Sequence, residues 1–339
     1  MKTARHCIAV TAALLAAPAG PAAAADFYQG KQVTIVVGFT PGGTYDLTAR
    51  LYARHIGRYL PGKPSVLVQN MPGAGSLVAA ANLYNVAPKD GTTLGVVGGG
   101  TVIEPLVGTA QGKYDARRFT WIGGRTRDNF LCLVWQTAPV ASIEDVKRRE
   151  VVVGATGPGS RTMTFPKALN EIAGTKFKIV SGYPGGNDVN LAMERGEVGG
   201  RGSNSWASWK ATHPQWLAEK KIYILVQIAL KRHAELADVP TMMELAKNEE
   251  DRAVLAFLSA DIPISRAYVT TPGTPADRVA ALRRAFDATM KDPAFLAEAQ
   301  KANVDVSPST GEEAQKFSDL IANTPPAVIA RAKAILDVK

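Results

Sequence analysis

The sequence predicts an α/β protein of two domains joined by two crossings. Three observations predict it. Short β-branched runs alternate with helical patterns over residues 33–260, which gives a mainly parallel sheet. Two strand-to-helix turns share the pattern Gly-x-Thr-x-x-Gly-(Thr/Ser): Gly38–Thr44 and Gly154–Ser160, 116 residues apart. After about residue 265 the chain reads as well-capped helices that pack back on the first domain.

The chain has 339 residues, of which 46% are hydrophobic and 20% charged, a composition that sustains a packed core. Lys2, Arg5 and His6 precede an apolar run, Cys7–Ala17, and a small-residue stretch, Ala22–Ala25. That is the layout of a secretory signal, with cleavage expected after Ala24 or Ala25 and an exported mature chain. The run is too short to span a bilayer. Cleavage removes Cys7 and leaves Cys132 alone, so an internal disulfide is excluded in the mature chain. The net charge of +9 falls to +7 without Lys2 and Arg5. The excess is scattered, which argues against nucleic acid as a partner.

The first strand, Val33–Val37, breaks at Pro41-Gly42-Gly43 and opens a helix over 44–59 carrying Leu47, Leu51 and Ile56. A second strand, 65–69, runs into Gly73-Ala74-Gly75-Ser76 and a helix to Leu83. A third, 93–97, runs into Gly98-Gly99-Gly100-Thr101 and a short helix. Strands 121–124 and 131–135 flank Arg125–Asp128, taken as the first crossing. A strand at 151–154 leads through Gly157-Pro158-Gly159 to a helix ending near Ile172. The strand 177–180 ends at Tyr183–Asp188. Gly199–Ser205 is glycine-rich and polar, 222–230 reads as a long buried strand and 238–260 as mostly helical. The return strand is expected at 266–269. Helices follow from Thr274-Pro275, from Asp292-Pro293, after the capping box of Thr310 and Glu313, and from Pro326 to Leu336.

Each paired turn aims helix-terminal N–H groups beyond a strand end, an arrangement that suits an anion. Thr44 and Ser160 supply hydroxyls that also suit helix caps. Asp46 either complements its helix dipole or meets an ammonium group on an amino-acid ligand. Arg161 and Arg201 are candidate counter-charges. Trp206 and Trp209, three apart, form either a packed face or a cleft wall. Ser160 and Arg161 follow Gly159 where a phosphate-binding loop needs Lys and Ser/Thr, so that motif is excluded. No Gly-x-Ser-x-Gly or His-Glu-x-x-His is present, and His55, His213 and His233 are widely spaced. No catalytic residue, metal or cofactor is assigned.

The ordered set of motifs, Val33–Asp46, Asn70–Ser76, Ala87–Thr92, Gly154–Ser160, Tyr183–Gly186, Val239-Pro240-Thr241 and Pro272–Pro275, resembles one family over nearly the whole mature chain. The chain looks like an extracytoplasmic solute receptor of the tripartite tricarboxylate transporters, the Bug-type receptors. The resemblance implies a fold like the type II periplasmic binding proteins, with a ligand cleft between the domains. The expected domains are 26–127 with 265–339, and 128–264. It also implies a small organic carboxylate as ligand, a small and a large membrane subunit as partners, and a monomeric receptor. The implied ligand-binding residues are Phe39, Thr40, Pro41, Gly42, Gly43, Thr44, Asp46, Gly75, Ser76 and Thr101 from the first domain. The second supplies Thr156, Gly159, Ser160, Arg161, Thr162, Tyr183, Gly186, Asp188 and Arg201. Many members carry an Asp after Gly-Glu-Val in the second domain; here Gly196-Glu197-Val198 leads to Gly199-Gly200-Arg201. A sensory module using the same ligands, or an exported enzyme acting on a carboxylate, is the alternative.

Overall fold

The computed structural model describes residues 27–108, 114–125 and 128–337. The secretory signal, and Thr126 and Arg127 of the first crossing, lie outside the described residues. Strands are β1 (Gln32–Val37), β2 (Ser65–Asn70), β3 (Thr93–Val96), β4 (Thr120–Gly124), β5 (Phe130–Trp135), β6 (Val151–Ala155), β7 (Phe177–Ser181), β8 (Gly200–Ser205), β9 (Ile222–Ile228), β10 (Ala267–Thr270) and β11 (Ser309–Thr310). Helices are α1 (Thr44–Ile56), α2 (Leu77–Asn85), α3 (Gly100–Val107), α4 (Ile143–Arg148), α5 (Arg161–Ala173), α6 (Gly186–Glu194), α7 (Trp206–Thr212), α8 (Pro214–Ala218), α9 (Glu249–Ser259), α10 (Ala276–Lys291), α11 (Pro293–Lys301), α12 (Gly311–Ala322) and α13 (Pro326–Leu336).

The strands form two sheets. One has six strands in the order β11-β4-β10-β3-β1-β2; the other has five, β7-β6-β8-β5-β9. Parallel pairs occur in each: β1 with β2 and β3, and β6 with β7 and β8. The chain enters the second sheet after β4 and returns at β10, which runs antiparallel to both β3 and β4. No described helix is long and apolar enough to cross a membrane.

Strand alternation sorts the core. Val33, Ile35 and Val37 point from β1 into a layer with Leu51, Tyr52, Ile56, Phe286 and Phe295. Val36, on the opposite face, packs with Leu77 and Leu83. In the second sheet Leu131, Leu133 and Trp135 face Met193, Trp209 and Trp216, while Cys132 and Val134 face Phe165 and Leu169. Cys132 is fully buried, and burial pushes its thiol up to about 12.

One stretch is resolved and two expectations change. Gly199–Ser205, read only as glycine-rich and polar, contains β8, the central strand of the second sheet, paired to β5 and β6. Its polar residues conceal the strand because one face lines a cavity rather than a core. Residues 222–228 form an edge strand whose Tyr223 is exposed, and Leu230 lies beyond it. Residues 238–260 hold only one α-helix, α9, preceded by a 3₁₀ turn capped by Thr241 and Glu244.

The C-terminal helices divide. Helices α10 and α11 pack on α1, and α12 packs on β4. Helix α13 packs instead on α5 and α9 as well as α3. Its buried Ala332, Ile335 and Leu336 join the cluster containing Phe165 and Leu258, and Lys167 Nζ donates to the Leu336 carbonyl at 2.8 Å. The last helix therefore ties the second sheet's helices to the first sheet's.

Candidate functional site

The Gly-rich turns meet across the gap between the sheets, but not in the pairing that their likeness suggests. The Gly157–Ser160 turn lies against the Gly73–Ser76 turn: a Cβ built on Gly75 would sit 2.7 Å from the Ser160 nitrogen, and one on Gly157 2.9 Å from the Ala74 carbonyl carbon. The Thr40–Gly43 turn faces the Tyr183–Asp188 loop instead. Thr40 Oγ1 donates to Asp188 Oδ2 at 3.1 Å, and Gly42 lies beside Asn187. Gly43 has room for a side chain, whereas Gly75, at φ +70°, has none.

The Gly73–Ser76 turn holds four consecutive residues at positive φ, including Ala74 (+47°) and Ser76 (+86°). Each non-glycine there costs about 1–2 kcal/mol, so the surrounding contacts must impose the shape. Ser76, fully buried, accepts the Gly98 N–H on its Oγ at 3.1 Å. The turn is thereby locked to the β3–α3 connection.

Between these turns lies a cavity of about 60 Å³. The first lobe contributes Phe39, Tyr45, Gly75 and Gly98–Gly100. The second contributes Phe130, Thr156, Gly159–Thr162, Arg201, Ser203 and Asn204. The N-termini of α3 and α5 both border it, so two sets of helix-terminal N–H groups and two dipoles favour an anion there.

The sequence-derived residues occupy different layers around this cavity. Phe39, Gly75, Thr156, Gly159, Ser160, Arg161, Thr162 and Arg201 line it. Ser76 and Thr101 stand behind the first-lobe wall, Thr101 Oγ1 donating to the Gly98 carbonyl at 2.7 Å. Thr40 and Asp188 close the rim, with Pro41 and Gly42 exposed beside them. Gly43 is the N-cap of α1 and Thr44 its first residue. The second-lobe hydroxyls form one network. Ser160 Oγ donates to the Gly157 carbonyl at 2.7 Å and contacts Thr162 Oγ1 at 2.6 Å, and Thr162 Oγ1 accepts the Thr156 N–H at 3.0 Å.

Four side chains settle into specific partners. Asp46 turns away from the cavity: Oδ2 accepts the Gly42 N–H at 2.9 Å, Oδ1 accepts Asn70 Nδ2 at 2.9 Å, and Arg50 pairs with it at 2.9 Å. Despite burial, these bonds hold its carboxyl below the usual carboxylate range. Tyr183 packs behind the end of β6 with Val189. Arg161 forms a 2.7 Å ion pair with the fully buried Asp261. Trp209 is fully buried against His213 and Trp216, a packed face, and the Arg201 guanidinium lies 5.5 Å from its ring.

Arg201 is held differently from Arg161. Its Nη1 donates to the Gly186 carbonyl (3.2 Å) and Asn190 Oδ1 (3.0 Å), while its buried Nε has no partner. Burial, with the charge of Arg266 second, pushes its pKa down to about 9. Sequence reasoning missed Tyr45, Gly98–Gly100, Phe130, Ser203, Asn204 and Arg266.

Two α/β lobes, crossed twice by the chain and meeting around a small cavity bordered by helix N-termini, define a solute-binding protein of the type II periplasmic architecture. The model of the tripartite tricarboxylate transporter family receptor matches residues 49–337, and the chain belongs to that family. It is a periplasmic solute-binding receptor for a transporter of that type. A UPF0065 protein of Cupriavidus necator is 30% identical over 251 residues, covering 71% of this chain and 73% of the relative. Among solved structures, MatC from Rhodopseudomonas palustris with bound malate superposes at a TM-score of 0.70, with 22% identity over 91% of this chain and 99% of that one. A second R. palustris protein, solved with adipate, gives 0.67, with 23% identity over 91% and 97%. The periplasmic binding protein BugD gives 0.65, with 21% identity over 91% and 95%. At these identities the likeness establishes the fold.

Proposed function

We propose that this receptor captures a small organic carboxylate in the cavity between its lobes and delivers it to a small and a large membrane subunit. The carrying observation is the cavity itself, bordered by the N-termini of α3 and α5 and by the buried hydroxyls of Thr156, Ser160 and Thr162. Malate and adipate in the similarly folded R. palustris proteins support a carboxylate. The ligand-contacting set is Phe39, Gly75, Thr156, Gly159–Thr162 and Arg201, with Thr40 and Asp188 closing the rim. The domains divide as 26–127 with 265–339, and 128–264, and the two crossings serve as the hinge. The protein acts as a monomer without turnover of its ligand, and residues 1–25 are its export signal.

A thermal-shift screen tests this against mono-, di- and tricarboxylates, aromatic acids and acidic amino acids. A ligand at 100 times its Kd stabilises the folded state by about 2.7 kcal/mol. A screen in which no carboxylate raises the melting temperature overturns the proposal. Product formation from a bound acid, detected by mass spectrometry, would make the protein an enzyme.

A further inference from the structure

The cavity wall supplied by β8 carries donors without partners, and Arg266 of the return crossing stands behind that cavity's aromatic rings. Arg201 and Ser203 stand on β8, whose pairing with β5 shifts register between Arg201 and Asn204, and both line the cavity. Among the described residues Ser203 Oγ, on a side chain 4% exposed, has no partner, and Arg201 Nε has none either. Arg266, just before β10, is also 4% exposed. Its Nη2 donates to Ser208 Oγ at 2.5 Å, but Nε and Nη1 have no partner. Its guanidinium lies 5.4 Å from the Tyr45 ring and 5.9 Å from the Phe130 ring, and both rings line the cavity.

The charges around these donors do not balance. Arg161 is neutralised by Asp261. Among the described residues neither Arg201 nor Arg266 has an acid within ion-pair distance. Asp128 acts on Arg266 and on the buried Arg125 from farther away. Asp305, which faces Arg125, is more than half exposed. Arg125 and Arg266 thus share Asp128, and Arg201, whose charge is opposed by that of Arg266, has no acid beside it among the described residues. Burying unpaired charge and unpaired donors is costly, and an anionic ligand removes that cost.

We propose that Arg201, Ser203 and Arg266 form a direct anion clamp that selects short dicarboxylates over their singly charged analogues. This rests on the carboxylate-receptor reading. The helix N-termini of α3 and α5 hold one carboxylate; the clamp holds the other. A guanidinium bonds a carboxylate with charge-assisted hydrogen bonds and gains little from a neutral amide of the same shape. The small cavity restricts the spacer to a few carbons. Because Arg266 stands on the return crossing and Arg201 on the second sheet, one carboxylate between them also ties the hinge to the closed lobe.

Isothermal titration of the full mature chain with malonate, succinate and glutarate, each beside its monoamide, tests the clamp. The expected result is at least one diacid bound about tenfold or more tighter than its monoamide. Arg201→Gln and Arg266→Gln each bring that ratio towards one by weakening the diacid, and Ser203→Ala causes a smaller loss. Ligand-free melting temperatures provide a second readout. Removal of an unpaired buried charge leaves them unchanged or raises them, so lost selectivity is not lost folding. A ratio near one in the native chain, or a ratio unchanged in both arginine variants, overturns the clamp. If neither diacids nor monoamides bind while another carboxylate does, the clamp falls and the receptor reading stands; if no carboxylate binds, both fall.

Discussion

Thr40 and Asp188, 148 positions apart, are joined by a 3.1 Å hydrogen bond that Thr40 donates across the mouth of the cleft. The donor stands on the turn after β1 and the acceptor in the first turn of α6, so the bond exists only with the lobes together. In the proposed clamshell motion such a bond favours closure rather than the folding of either lobe.

Thr40→Val keeps the side-chain shape and removes the donor. The expected loss is about 1 kcal/mol of closure, or roughly fivefold in Kd, expressed as faster release. Stopped-flow dissociation and calorimetry measure it. An unchanged dissociation rate would mean that the bond contributes nothing to closure.

Gly75→Ala places a Cβ 2.7 Å from the Ser160 nitrogen and imposes φ +70° on alanine. Gly196→Ala imposes a similar φ of +74°, with nothing within 4 Å of the new Cβ. Both variants lose about 1–2 kcal/mol of stability through backbone strain. Only Gly75→Ala abolishes ligand-induced compaction in small-angle scattering, because only there does the new atom separate the lobes. Equal compaction in the two variants would contradict the turn-to-turn contact.

Asp261 is fully buried and its only ion-pair partner among the described residues is Arg161. Asp261→Asn leaves a buried guanidinium uncompensated and should cost about 3–5 kcal/mol in urea unfolding. The double variant Arg161→Met with Asp261→Leu should recover most of that loss, since apolar groups of similar size need no partner. A single variant as stable as the native chain would show that the pair is already solvated.

His213 lies between Trp209 and Trp216, with Asn190 at 3.4 Å and Thr212 at 2.7 Å. Burial first, and the Arg201 charge second, push its pKa down to about 4. In the unfolded chain it is near 6.5, so between these values the unfolded state binds the extra proton. Stability is therefore full above pH 6.5 and falls as pH drops towards 4, by about 1–2 kcal/mol at pH 5 from this group. His213→Gln should flatten the fall in denaturation midpoint between pH 7 and pH 5. A slope that persists unchanged in the variant would assign the dependence to other groups.

Most elements were legible because their signals are local. The apolar β-branched run of β1, the Pro41-Gly42-Gly43 break, the Thr310 cap and the Pro326 start of α13 each depend on a few adjacent residues. β8 was not legible, since Gly-Arg-Gly-Ser-Asn-Ser carries no apolar face. A strand that lines a polar cavity on one side, with glycines admitting close neighbours on the other, gives no hydrophobic alternation to read. Asp46 and Arg161 were visible as charges near Gly-rich turns, but not their partners: Arg50 and Asn70 for one, the distant Asp261 for the other.

The sequence by itself determined the α/β class, the Gly-rich strand-to-helix turns and the family, because these rest on local backbone preference and an ordered set of short motifs. Tertiary structure decided which turns face each other, which arginine is neutralised and which is left bare, and where the last helix packs. Those outcomes depend on contacts between residues far apart in the chain, such as Gly75 with Ser160, Arg161 with Asp261, and Lys167 with Leu336. Such pairings arise when two sheets pack and close, and no local pattern encodes them.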